Sequence, residues 1–204
     1  MLTIHNFAHG ARGLRVMWLC EEMELAYSVK THAYPVSEAY RALNPLGTVP
    51  LIEDDGGVVL NESIAILLYV AQTHGPTPLL PSDDPGRLAR CLQWTLFGET
   101  EIGMSLNPLL AARFMAPEAD KRNWSVLGLE QRLQRAVNHT ERSIEGNDYL
   151  VGSTLSLADI SVSCGLAIWQ GAFRAKLPPK LGDYQTRLRA RPAYQRASER
   201  CAGK

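Results

Sequence analysis

Three short segments of this 204-residue chain carry residue types whose spacing can do chemistry or fix the elements that do it. In Asn44-Pro45-Leu46-Gly47-Thr48-Val49-Pro50, a chain reversal at Pro50 leaves the N–H and C=O of Val49 facing outward. They are then free to pair with a peptide-like ligand as an added strand. In Asn61-Glu62-Ser63, standing directly ahead of the apolar run Ile64 to Val70, Ser63 offers a backbone N–H and a hydroxyl at the start of a helix. That place favours a carboxylate, while Glu62 suits an ammonium group. The third segment, Ser156-Leu157-Ala158-Asp159-Ile160, has the three-residue spacing of a capping box, with Leu155 as a hydrophobic staple for Ile160. Its role is structural, and Asp159→Ala is expected to cost about 0.5–2 kcal/mol of stability on that ground.

These segments need elements to hold them. Leu2 to Phe7 has the branched residues of a short strand, and about Arg12 to Leu25 the apolar density of a helix. Tyr27, Val29, Thr31 and Ala33 alternate as a second strand, giving a β-α-β opening whose parallel crossover needs a helix of this length. A polar stretch follows, then Val49 to Ile52 and Val58 to Leu60 around Asp54-Asp55-Gly56-Gly57, a hairpin, and the helix after Ser63. Four of the twelve prolines fall between Gly75 and Gly86, as in a linker. Beyond it the pattern is helical: about 87–114, about 119–144, a segment opening at Ser156, and about 183–200.

The bulk properties narrow the function classes. Lysine plus arginine and aspartate plus glutamate both total 21, so no excess of positive charge points to nucleic acid or an anionic membrane. Cys20, Cys91, Cys164 and Cys201 are isolated, with neither a Cys-x-x-Cys pair nor a compact disulfide framework, which fits a reducing compartment. His5 and His9 stand four apart across a strand end, a spacing that aims them at no common metal. The first residues carry no charged leader with an apolar run, and no apolar stretch has the length of a membrane span, so the expectation is a cytoplasmic protein acting on a small molecule, without a metal.

With those segments in that order around that break, the sequence resembles the cytosolic glutathione S-transferase superfamily along its whole length. The resemblance implies a thioredoxin-like βαβ-ββα domain at residues 1–78, a linker at 79–84, and an all-α domain at 85–204. It implies that Pro50 is cis, that Thr48, Val49 and Pro50 bind the cysteinyl backbone of glutathione, and that Glu62 and Ser63 hold its γ-glutamyl end. It further implies that the helix after the linker flanks the cleft for the electrophile, with Phe97, Glu101 and Met104 as second-substrate contacts and Trp94 in the core or a subunit interface. Family members are mostly homodimers.

Conjugation requires the glutathione thiolate, and a free thiol with a pKa near about 8.5 is only a few per cent ionised at neutral pH. The family commonly supplies a Tyr, Ser or Cys between the first strand and first helix. Here Phe7-Ala8-His9-Gly10-Ala11-Arg12-Gly13-Leu14-Arg15 departs from that pattern: no Ser, Thr, Tyr or Cys lies between Thr3 and Cys20. The substitutes are the guanidinium of Arg12, the amide of Asn6, the imidazole of His9, in that order, and the backbone N–H groups of the Gly10 to Gly13 turn. Arg12 leads because a permanent cation beside a thiolate lowers its pKa and donates hydrogen bonds. The function implied is transfer of glutathione to a small, largely apolar electrophile. The rivals are a glutathione-dependent isomerase or peroxidase, and a non-catalytic binding or scaffold protein.

Overall fold

The computed structural model describes residues 1–9 and 12–203. They form two compact units, residues 1–80 with 188–204 and residues 81–187. The C-terminal segment, expected from sequence as part of the helical domain, therefore groups with the first unit.

In the first unit β1 (Leu2–Phe7), α1 (Gly13–Glu22), β2 (Tyr27–His32), α2 (Glu38–Leu43), β3 (Leu51–Glu53), β4 (Val59–Asn61) and α3 (Ser63–Thr73) follow in chain order. The sheet runs β2-β1-β3-β4. β1 pairs parallel with β2, Leu2 opposite Tyr27, and antiparallel with β3, Ile4 opposite Ile52. This is the thioredoxin-like arrangement. Central β1 is covered on both faces, so its alternation is masked: Ile4 and His5 are both buried. The helix α2 falls in what reads from sequence as a polar loop. Ser37 caps it by accepting from the Tyr40 N–H at 3.3 Å, and Tyr40 is its one buried residue.

A helix α9 (Pro192–Cys201) closes this unit by packing on α1. The rings of Trp18 and Tyr194 meet edge to face with centroids 5.0 Å apart, and Arg191 grips Glu22 with two bonds of 2.6 and 2.7 Å. Glu21 accepts from Arg196 at 2.6 Å and from the Tyr27 hydroxyl at 2.8 Å. Burial alone would raise the Glu21 carboxyl, but the bonds from Arg196 and Tyr27 and the charge of Arg200 hold it below its ordinary value. A depressed folded-state pKa contributes stability above the unfolded value, about 4.3 for glutamate, that is lost as pH falls through the folded value. Glu21→Gln is therefore expected to lower the melting temperature at neutral pH and to flatten its decline on acidification below about pH 4.3; melting curves recorded across that range check it.

The second unit is helical: α4 (Pro85–Phe97), a π-helical turn (Gly98–Gly103), α5 (Met104–Met115), α6 (Trp124–Ser143), α7 (Leu157–Phe173) and α8 (Pro179–Arg189), whose last residues pass into the first unit. The single segment expected over 87–114 is thus interrupted. The interruption lies where a Cβ on Gly98 would meet Ser161 Oγ at 2.4 Å, so α4 crosses α7 too closely for a side chain there. The segment expected over 183–200 is likewise two helices, divided before Pro192, which has no N–H to continue α8 and instead begins α9. Asp159, in the first turn of α7, accepts from the N–H and hydroxyl of Ser156 (2.9 Å each), the Leu150 N–H (2.9 Å) and the Tyr184 hydroxyl (2.9 Å). Burial raises its carboxyl above the ordinary carboxylate value, and these four donors offset that rise only in part.

Candidate functional site

The residues that can meet a peptide ligand lie in the first unit. The Val49–Pro50 bond is cis. Val49 is half-buried, and neither its N–H nor its C=O bonds to another described residue. The Thr48 carbonyl just before it is held from two sides, by the Tyr40 hydroxyl at 2.7 Å and Asn44 Nδ2 at 2.8 Å. Gly47, at φ +64°, makes the turn that delivers Thr48.

Glu62 stands between β4 and α3 with φ +69° and ψ 106°, a conformation that costs a residue with a Cβ about 1–3 kcal/mol and persists only where its surroundings enforce it. Its carbonyl accepts from the Ile66 N–H at 2.9 Å, while its carboxylate is exposed and caps nothing. Ser63, buried beside it, accepts from Arg15 Nη1 at 3.0 Å. An oxygen that accepts from a guanidinium keeps its one O–H to donate elsewhere. Strand end, exposed acid, polarised hydroxyl and helix N-terminus are thus adjacent at the head of α3, an arrangement that can take an ammonium and a carboxylate together.

Sequence reasoning missed Arg15. It is 0 % exposed, on α1, in a run that is otherwise apolar from Leu14 to Cys20. A charged residue interrupting a buried helix face is the signal that marks it.

The candidates for stabilising a thiolate, Asn6, His9 and Arg12, differ in burial and in partners. The Asn6 amide is buried, Nδ2 lies 3.4 Å from Cys201 Sγ, and its side chain occupies the space that a Cβ on Gly13 would need. His9 is exposed at φ +63°, with its N–H donating to the Cys201 carbonyl at 3.2 Å. Arg12 is half-buried and stands at the N-cap of α1. Gly10 and Ala11, half of the turn considered for backbone donors, lie outside the described residues. His5 does not turn toward His9: its Nδ1 lies 2.8 Å from His32 Nε2 and its Nε2 2.7 Å from Glu53 Oε1.

Three of the chain's own thiols are shifted away from the thiolate. Burial pushes the Cys20 thiol up to about 12 and raises Cys91 and Cys201 as well, and all four cysteines are buried and outside any disulfide.

Of the residues expected to meet a second substrate, Phe97 and Glu101 share an open cleft in the second unit with Arg132, Arg135 and His139. Glu101 is engaged by two bonds from Arg132, at 2.8 and 2.9 Å, which hold its carboxyl below the usual range. Phe97 packs on Trp94 and His139. Met104 is 64 % exposed and does not line that cleft.

The chain matches the glutathione S-transferase N-terminal domain over residues 11–73 and the glutathione S-transferase C-terminal domain over residues 107–192. It is 35 % identical to glutathione S-transferase stcT of Emericella nidulans over 193 residues, 91 % of this chain and 83 % of that one. The chain belongs to the glutathione S-transferase family.

Its structure resembles that of a theta class glutathione S-transferase from Xanthomonas axonopodis pv. citri with glutathione bound, at a TM-score of 0.79 and 28 % identity over 97 % of this chain and 96 % of that one. It is also 34 % identical over 149 residues to elongation factor 1-gamma of Prunus avium, 71 % of this chain but 33 % of that protein. Membership in the glutathione S-transferase family is thus compatible with more than one use of the fold.

Proposed function

We propose that this chain is a glutathione transferase, in which glutathione is the co-substrate and a small, largely apolar electrophile receives it. The observation that carries the reading is the pairing of an exposed Glu62, held at positive φ, with a Ser63 hydroxyl anchored by buried Arg15. That pair takes the zwitterionic γ-glutamyl end, Glu62 on the ammonium and Ser63 on the carboxylate, while the N–H and C=O of Val49, with Thr48 and Pro50 around them, take the cysteinyl main chain. Arg12, at the N-cap of α1, is the group proposed to stabilise the thiolate, since the Asn6 amide already faces Cys201. Within the second unit, Phe97 and Glu101, which line one cleft, and exposed Met104 are proposed to contact the electrophile. The chain is further proposed to act as a homodimer in the cytoplasm, where its buried cysteines, none in a disulfide, stay reduced; sedimentation analysis tests the dimer.

Two measurements test the reading together. Bound glutathione is expected to show the ultraviolet thiolate band at neutral pH, and turnover with an electrophile is expected to consume glutathione into a conjugate. Recovery of all the glutathione after turnover would instead mark an isomerase. Binding with no thiolate band would mark a scaffold, the reading favoured by the missing hydroxyl between Thr3 and Cys20.

Ser63→Ala and Glu62→Gln are each expected to weaken glutathione binding by about tenfold or more, because each removes one charge-assisted contact. Glutamine is used at position 62 because it keeps the side-chain length at a strained φ and removes only the charge. Unchanged retention of both variants on immobilised glutathione would remove the site.

A further inference from the structure

We propose that Tyr40 is a positioning residue for the main chain of the bound cysteinyl group, acting through the Thr48–Val49 peptide; this rests on the reading of Val49 as the glutathione-pairing edge. Tyr40 lies on α2, is 2 % exposed, and donates its hydroxyl to the Thr48 carbonyl at 2.7 Å, while Asn44 Nδ2 donates to the same oxygen at 2.8 Å. The Thr48–Val49 peptide is trans. In a planar trans peptide the N–H points opposite to the C=O. Two donors that fix the Thr48 oxygen therefore also fix the direction of the Val49 N–H, on the other side of the peptide from Tyr40 and Asn44. Hydrogen bonding at the carbonyl also polarises the amide and makes its N–H a better donor.

The phenol is itself held in place by the sheet. The Tyr40 ring lies 4.2 Å from that of His32 and 5.4 Å from that of His5, whose own rings stack at 5.1 Å and 6°. His5 bonds to His32 and Glu53, and Lys30 bonds to Glu53 at 3.0 Å. Side chains from β1, β2 and β3 thus fix where one ring on α2 sits, and that ring's hydroxyl fixes the peptide. The expected effect is confined to one ligand group, the acceptor facing the Val49 N–H. In glutathione that acceptor is the cysteinyl carbonyl, not the thiol or the γ-glutamyl end.

Tyr40→Phe tests this, because it keeps the ring and its stack and removes the hydroxyl alone. Calorimetry is run with two ligands: glutathione, and γ-glutamylcysteamine, which keeps the γ-glutamyl end and the thiol but lacks the cysteinyl carbonyl. Tyr40→Phe is expected to raise the Kd for glutathione about fivefold, the loss of one net hydrogen bond, and to change that for γ-glutamylcysteamine by less than about twofold. Asn44→Ala, which removes the other donor to the same oxygen, is the second variant and is expected to show the same selectivity. Equal weakening of both ligands, or unchanged glutathione affinity in the folded variants, overturns the proposal while leaving the glutathione site standing. A wild-type chain that binds neither ligand overturns the site and this proposal with it.

Discussion

Asp159→Ala is expected to lower the free energy of unfolding by about 3–5 kcal/mol, well beyond the 0.5–2 kcal/mol of a lost helix cap. The difference comes from the number of donors that converge on one carboxylate. Two belong to Ser156 and form the cap; the other two come from the Leu150 backbone and from Tyr184, which is fully buried on α8. Removing the carboxylate leaves the Leu150 N–H and the Tyr184 hydroxyl unpaired inside the unit, at about 1–3 kcal/mol each. Ser156→Ala removes one hydroxyl donor and leaves the other three bonds, so it is expected to cost about 1 kcal/mol. Urea denaturation of both variants gives the comparison. A loss of glutathione affinity in Asp159→Ala with an unchanged melting temperature would contradict the structural role.

The candidate-site and capping segments that the sequence singles out share one property: their residues are neighbours along the chain. Thr48, Val49 and Pro50 form one such set, Glu62 and Ser63 a second, Ser156 and Asp159 a third. Each is announced by local turn or capping chemistry, so the order of strands and helices that carries them follows from the same local signals. What sequence did not yield depends on pairs that only the fold brings together. Arg15 meets Ser63 across 48 residues, and Glu22 meets Arg191 across 169, so nothing local ties Arg15 to the site or α9 to α1. The helix α2 escaped for a different reason. Six residues that bury one side chain show no helical periodicity, yet that side chain, Tyr40, is the one that reaches Thr48. The interruption at Gly98–Gly103 was hidden because a π turn keeps a helical pattern of apolar residues on both sides of it.

Arg12→Gln is expected to raise the pKa of bound glutathione by about one to two units and to lower kcat/KM at neutral pH by about ten- to fiftyfold. Bringing a thiol from about 8.5 to a value that is mostly ionised at neutral pH takes about two units, or about 2.7 kcal/mol. The N-terminus of α1 supplies about 0.3–1 kcal/mol of that, which leaves about 2 kcal/mol for a charge-assisted hydrogen bond. With no side-chain hydroxyl between Thr3 and Cys20, the reading proposed above assigns that bond to Arg12, whose permanent charge stands at the N-cap of α1. The sign of the pH dependence follows. Losing the cation raises the thiol pKa, so the variant is most impaired below the new pKa and approaches wild type above it, where the thiol ionises unaided. Arg12→Lys keeps a charge without the guanidinium fork and is expected to fall between the two. Titrating the thiolate band of bound glutathione in the three proteins measures the shift without an electrophile. A titration that Arg12→Gln leaves unmoved, with the band still present, would transfer the role to His9 or to backbone donors ahead of α1, and His9→Gln would then separate those two.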